Sequence, residues 1–367
     1  MDKYQSDPDL LQDFPLRSLY FYLTRGCNLK CRHCWIAPHF QGDGKSHPSL
    51  DLQLFKSVIS QAKPLGLSSV KLTGGEPFIH PAILEIVAHI KEENLTLSVE
   101  SNGTFITEEL AEALVQCSGT TVSVSLDGAD WKIHEWMRGV RGCFQDAVNG
   151  IRRLVDAGLK PQIILSLVRK NKGQIEPIIR LAESLGAGSV KFNPVQPTAR
   201  GALMHREEQT LSIEELIELG HWIETDLSKS TQIHLFYTHP AAFKPLSNIY
   251  GPQGDGCSTC GIMGILGVLA DGSYALCGIG ETVPELVFGS AATDSLKKIW
   301  LHSPILTQIR EGLPSRLEGV CSKCLMKRLC LGDCVAQNYY LSKNLWAPYW
   351  YCQEALNKGI FPKSRLK

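Results

Sequence analysis

"LYFYLTRGCNLKCRHCW" (residues 19–35) decides how the rest of the chain is read. Its opening run, LYFYLT, is apolar and aromatic, the composition of a short buried strand. Cys27, Cys31 and Cys34 follow directly, at spacings of four and three. In an α/β fold the loops after the C-terminal ends of strands carry the chemistry, so these thiols stand where a site belongs. Three is an unusual number. A structural zinc takes four ligands, so either His33 completes the set or one coordination position stays open. A cubane iron–sulfur cluster held by three cysteines leaves one iron free to bind something else. Lys30 and Arg32 would soften the negative charge of such a cluster.

Outward from this stretch the pattern repeats as far as Pro194. Strand candidates are "SVKLT" (69–73), "TLSVES" (96–101), "TVSVSL" (121–126), "QIILSLV" (162–168) and "SVKFNP" (189–194). Helical spacing of apolar residues marks about 50–64, 81–93, 107–116, 144–157 and 174–185. Gly66, Gly158 and Gly186 follow three of these segments, where a left-handed residue closes a helix, and Pro81 and Thr107 stand at helix starts. Six strands alternating with helices predict parallel pairing by right-handed crossovers. Periodicity leaves two arrangements open, a partial α/β barrel and an open doubly wound sheet.

Bulk composition narrows the function classes. The 367 residues carry 37 Lys plus Arg and 37 Asp plus Glu, so no long-range field draws the chain to nucleic acid or an anionic membrane. The acidic start, "MDKYQSDPDLLQDFPLRS", lacks the features of a signal peptide and predicts a cytoplasmic protein. "GIMGILGVLA" (261–270) is about half the length of a membrane span. Thirteen cysteines in a reducing compartment point to soft thiolate ligands rather than disulfides.

"LTGGEP" (72–77) follows the second strand. Gly74 and Gly75 allow close backbone approach, Glu76 offers a carboxylate to an ammonium group, and Pro77 stiffens the exit. With Cys-x3-Cys-x2-Cys after the first strand, this Gly-Gly-Glu-Pro turn resembles the radical S-adenosylmethionine (radical SAM) enzymes over residues 19–195. His33 departs from the aromatic residue common before the third cysteine. The resemblance implies a partial (β/α)6 TIM-like barrel. It also implies a [4Fe–4S] cluster on Cys27, Cys31 and Cys34 whose fourth iron chelates S-adenosylmethionine (SAM), with Glu76 receiving its ammonium. Gly74, Gly75 and Pro77 would frame the cofactor. Ser101, Asn102, Ser125 and Asp127, with Arg138 beyond, are the candidates for its ribose and carboxylate; as plain turns, "ESNG" and "SLDG" need no such role.

Beyond the proline- and glycine-rich "NPVQPTARG" (193–201), a bridge (201–250) holds a helix at about 212–226 and the strand-like "QIHLFY" (232–237). From 251 to 367 cysteines and glycines dominate, which predicts a small domain held by metal, with little regular structure. Residues 1–18 form an N-terminal extension and 19–200 the barrel. In "GILGVLADGSYALC" the Asp271-Gly272 turn predicts a hairpin that brings Cys260 and Cys277 to one end. Cys257, Cys321, Cys324, Cys330, Cys334 and Cys352 complete a set of eight, which reads either as two zinc ribbons or as iron–sulfur sites. Cys117 and Cys143 read as buried apolar thiols. The spacing resembles the SPASM extension of radical SAM enzymes. That implies auxiliary [4Fe–4S] cluster I on Cys257, Cys260, Cys277 and Cys334, and auxiliary cluster II on Cys321, Cys324, Cys330 and Cys352. The aromatic tail "LWAPYWYC" (345–352) reads as cluster insulation or as a peptide-facing wall.

SPASM-containing relatives mostly modify ribosomal peptides or proteins, so the resemblance implies a peptide maturase fed by a low-potential flavodoxin or ferredoxin. Three alternatives stand beside it. One is a small-molecule role in tetrapyrrole or redox-cofactor synthesis. Another is sulfatase maturation, opposed by Gly278 where those enzymes carry aspartate. The last is a zinc-binding module without catalysis. No general base stands out. With 26 residues before Cys27, leader recognition would use the bridge, the tail or a partner.

Overall fold

The computed structural model describes residues 7–43, 47–252 and 260–367. All six expected strands form: β1 (Ser18–Tyr22), β2 (Ser69–Thr73), β3 (Thr96–Ser101), β4 (Thr121–Ser125), β5 (Gln162–Leu167) and β6 (Ser189–Pro194). Each pairs parallel with the next. A doubly wound sheet would reverse its order at a switch point. Here every strand from β1 to β6 adds to the same edge, which settles the choice for the partial barrel.

Helices α1 (Leu52–Ala62), α2 (Ile83–Glu92), α3 (Glu108–Val115), α4 (Trp131–Arg138), α5 (Cys143–Asp156) and α6 (Ile175–Leu185) cover the outside. Local chemistry fixes their starts. Asp51 accepts the Leu54 N–H at 2.9 Å and Thr107 accepts that of Leu110 at 3.1 Å, each satisfying an amide the helix leaves free. Phe55, Val58, Ile59 and Ala62 of α1 then meet Leu19, Phe21, Val70 and Leu72 in the core. Each large side chain so buried contributes about 1.5–3 kcal/mol. Because strand side chains alternate, the residues between them, such as Tyr20, Lys71 and Thr73, face the barrel interior.

Two features extend the sheet past six strands. The bridge supplies helix α7 (Ala199–Arg206), α8 (Ile213–Thr225) and strand β7 (His234–Tyr237), which pairs parallel with β6. Helix α7 begins inside the stretch that reads as a linker. The expected hairpin, β8 (Ile265–Val268) and β9 (Ser273–Ala275), forms about Asp271 and Gly272 and continues to β10 (Val287–Ser290). Its β8 lies parallel along β1, from Ser18↔Ile265 to Phe21↔Val268. The ten-stranded sheet therefore runs β10-β9-β8-β1-β2-β3-β4-β5-β6-β7.

The C-terminal region departs from expectation. It holds helices Leu296–His302, Pro304–Gly312, Val335–Ser342 and Trp350–Asn357. Trp300, Leu306, Ile309 and Tyr351 are buried in a core continuous with that of the barrel. Apolar spacing in this segment is interrupted by the cysteines, which hides the helices from a periodicity reading. Among the described residues no helix is long and apolar enough to cross a membrane.

Candidate active site

Cys27, Cys31 and Cys34 come together at the C-terminal mouth of the barrel, in a cavity of about 190 Å³ also lined by Gly74, Gly75, Glu76, Ser101, Asn102, Ser125 and Arg138. The Gly-Gly-Glu turn is clamped onto the cysteine loop. Gly75 N–H donates to the Thr24 carbonyl (2.8 Å) and Glu76 N–H to that of Gly26 (3.0 Å). Gly74 has φ +124°, and a Cβ on Gly75 would sit on the Gly26 carbonyl oxygen, so no other residue fits this approach.

Glu76 is buried and fully engaged. Its Oε1 accepts from the Ser101 hydroxyl (2.8 Å) and Phe78 N–H (3.2 Å), and its Oε2 from Asn102 N–H (2.8 Å). Burial pushes its carboxyl up to about 7 against the pull of these donors. A cation placed beside it would restore the carboxylate.

Donors also face the thiols. Leu29 N–H reaches Cys27 Sγ at 3.4 Å and Arg138 Nη1 reaches Cys31 Sγ at 3.5 Å. Burial and the neighbouring cysteines raise the Cys27 and Cys34 thiols, a penalty that bound iron reverses by stabilising thiolate. The donor set of three thiols, N–H···S contacts and a nearby buried carboxyl thus fits an iron–sulfur cluster with a chelated amino acid beside it. His33 also lines the cavity, with its imidazole held neutral by burial (about 4) and its Nδ1 without a hydrogen-bond partner among the described residues.

Two sequence candidates take other places. Asp127 does not line the cavity: its Oδ1 accepts Ser166 N–H (2.9 Å), its Oδ2 lies 2.7 Å from Arg138 Nε, and it is sealed from solvent. It anchors Arg138 rather than contacting a ribose. Pro77 is buried beneath the loop. Sequence reading missed Arg200, which lines the cavity and donates to the Cys31 and Pro38 carbonyls, and Ser166 and Asn193 near the ends of β5 and β6. Polar residues near strand ends were the signal for those two.

The later cysteines fall into two sets. Cys260, Cys277 and Cys334 are half-buried and face one another, each pushed up to about 12, by desolvation first and then by another member of the trio. Cys257 lies outside the described residues. Cys321, Cys324, Cys330 and Cys352 line one small cavity beneath Tyr349. Trp346, Tyr349 and Tyr351 are buried. Among the described residues, no three His, Cys, Asp or Glu side chains converge on a position for a single metal ion. Cys117 and Cys143 are buried, their Sγ atoms donating to the Val87 and Val140 carbonyls.

Comparison with known proteins agrees with this geometry. The Radical SAM superfamily model matches residues 21–182, and the SPASM iron–sulfur cluster-binding domain matches residues 257–325. The chain is therefore a radical SAM enzyme carrying a C-terminal SPASM domain. It is 27% identical over 340 residues to the AdoMet-dependent heme synthase of Oleidesulfovibrio alaskensis, covering 89% of this chain and 84% of the relative. It is 26% identical to the mycofactocin maturase MftC of Mycolicibacterium smegmatis, covering 100% and 91%. In fold it resembles SuiB of Streptococcus suis, solved with the precursor peptide SuiA, at a TM-score of 0.68 and 17% identity over 93% of this chain and 76% of that one.

Proposed function

We propose that this enzyme modifies a ribosomal peptide or protein by abstracting a hydrogen atom, forming a cross-link or oxidising a side chain. The carrying observation is the single cavity that gathers Cys27, Cys31, Cys34, the Gly74-Gly75-Glu76 turn and Ser101-Asn102. When bound there, a [4Fe–4S] cluster supplies the electron that cleaves SAM to the 5′-deoxyadenosyl radical, which takes the substrate hydrogen. Glu76 would hold the SAM ammonium, Ser101 and Asn102 would keep Glu76 in place, and Arg138 would steady the Cys31 sulfur. Ser125, which also lines the cavity, would meet the nucleoside.

In this reading Cys257, Cys260, Cys277 and Cys334 hold one auxiliary [4Fe–4S] cluster, and Cys321, Cys324, Cys330 and Cys352 a second. Full ligation by these eight cysteines would leave no iron open to a substrate thiolate and would suit the clusters to electron transfer from the product. The first electron comes from a low-potential flavodoxin or ferredoxin. Sulfatase maturation is disfavoured by more than sequence. A Cβ on Gly278 would run into the ring of Tyr22, so an aspartate has no room there.

Similarity to the heme synthases supports a second reading, a tetrapyrrole substrate. One assay separates the two: 5′-deoxyadenosine release by the reduced, anaerobic holoenzyme, with a candidate precursor peptide or with an iron porphyrin. Stimulation and mass change of the peptide support the first reading. A response to the porphyrin alone sinks it.

A further inference from the structure

Three charged side chains meet on the wall of the barrel interior. Lys71 Nζ on β2 lies 2.5 Å from Glu100 Oε1 on β3, and Lys191 on β6 is close enough to feel Glu100 electrostatically. Val190 and Phe192, on either side of Lys191, are buried in the core, so alternation turns Lys191 into the barrel, on the same face as Asn193. Glu100, Ile164 and Asn193 line the cavity that holds the three cysteines. In the sheet register Lys191 stands beside Ile164 of β5 and Phe236 of β7, whose side chains accept no hydrogen bond. It makes no hydrogen bond or ion pair with any described residue.

Lys71 and Glu100 satisfy each other. Although burial opposes both charges, their pairing raises the lysine and lowers the glutamate from their ordinary values. Lys191 is left over, and burial lowers it. Among the described residues Lys191 has no carboxylate of its own, since Glu100 is taken by Lys71, so an anion entering the barrel would find an ammonium to pair with.

We propose that Lys191, backed by the Lys71–Glu100 pair, is a subsite for a carboxylate of the substrate, holding it inside the barrel so that the adjoining carbon faces the cysteine-lined cavity. One ammonium matches one carboxylate, whereas a phosphate dianion would also be repelled by Glu100. The carboxylate can come from a peptide C-terminus, from an acidic side chain or from an acid group of a small molecule. This inference rests on the proposed function only in taking that cavity as the place of reaction.

The test reads Lys191 directly. Reductive methylation with ¹³C-formaldehyde keeps lysines charged, and the Lys191 signal of the anaerobic holoenzyme is assigned by its loss in Lys191→Arg or, should that variant not fold, in Lys191→Gln. Titration with propionate at constant ionic strength is expected to shift this signal to saturation, while propionamide leaves it in place. No shift with propionate, or an equal shift with propionamide, overturns the subsite. Competition by a peptide with a free C-terminus but not by its amide assigns the carboxylate to a chain end. Competition by an Asp-containing peptide, but not by its Asn counterpart, assigns it to a side chain. SAM cleavage by unmethylated wild-type enzyme tests the proposed function separately. Cleavage without a Lys191 response removes the subsite alone, and a response without cleavage removes the proposed function alone.

Discussion

Arg138 reaches Asp127 Oδ2 at 2.7 Å through Nε and Cys31 Sγ at 3.5 Å through Nη1. One guanidinium thereby ties the end of β4 to the cysteine loop of β1. Its charge is secured by Asp127, whose carboxyl burial raises but Arg138 holds below the ordinary range. Arg138→Gln leaves that carboxylate buried and unpaired, so a loss of about 3–5 kcal/mol is expected in urea unfolding of the anaerobic protein. The double variant Asp127→Asn/Arg138→Gln should recover part of it. A double-variant loss equal to the sum of the two single losses would show that the pair does not couple.

Glu76 gives a pH signature. Its folded-state value near 7 stands above the ordinary 4.5, so between these values the folded protein binds more protons than the unfolded one. Its contribution to stability is therefore full at low pH and is lost as pH rises through about 7. Binding the ammonium of SAM needs the ionised form, which reverses the direction for affinity. Below pH 7, the SAM dissociation constant should rise by up to about tenfold per pH unit. Equilibrium dialysis from pH 6 to 8, with Glu76→Gln to subtract the titration of SAM itself, checks this. Parallel profiles would reject it.

Two glycine replacements should behave oppositely. Gly75→Ala drives a methyl into the Gly26 carbonyl, a backbone atom that cannot swing away, and a loss of about 1–3 kcal/mol or more with misplacement of the cysteine loop is expected. Gly173→Ala meets nothing within 4 Å and has no positive φ, so it should be neutral or stabilising by up to about 1 kcal/mol. Thermal unfolding of both compares them on one scale.

Metal content distinguishes the thiol sets. Reconstituted wild type should carry about twelve iron atoms, with Cys34→Ala and Cys352→Ala each losing about four. SAM cleavage should vanish in the first and persist in the second. A few zinc atoms and no iron would remove the cluster assignments altogether.

Much of this was legible in the chain because strands and helices announce themselves locally. LYFYLT, SVKLT and their successors carry their own strand chemistry, and Thr107 marks a helix start by capping. Long-range placement was not legible. Nothing in ILGV (265–268) states that it will pair with Ser18–Phe21, since both neighbours of a central parallel strand look alike from its sequence. Asp127 illustrates another limit. A carboxylate in a turn reads the same whether it faces a ligand or an arginine, and only the arrival of Arg138 from α4 decides. Arg200 escaped notice because its role is played through carbonyls of residues far away in sequence.

The seam between β8 and β1 has a practical meaning for dissecting the enzyme. A fragment cut after residue 250 would strip β1 of one neighbour and leave a raw row of amide and carbonyl groups, an invitation to stick to other chains. The cysteine-rich tail thus completes the sheet that carries the cavity, and its loss should be felt first as misassembly.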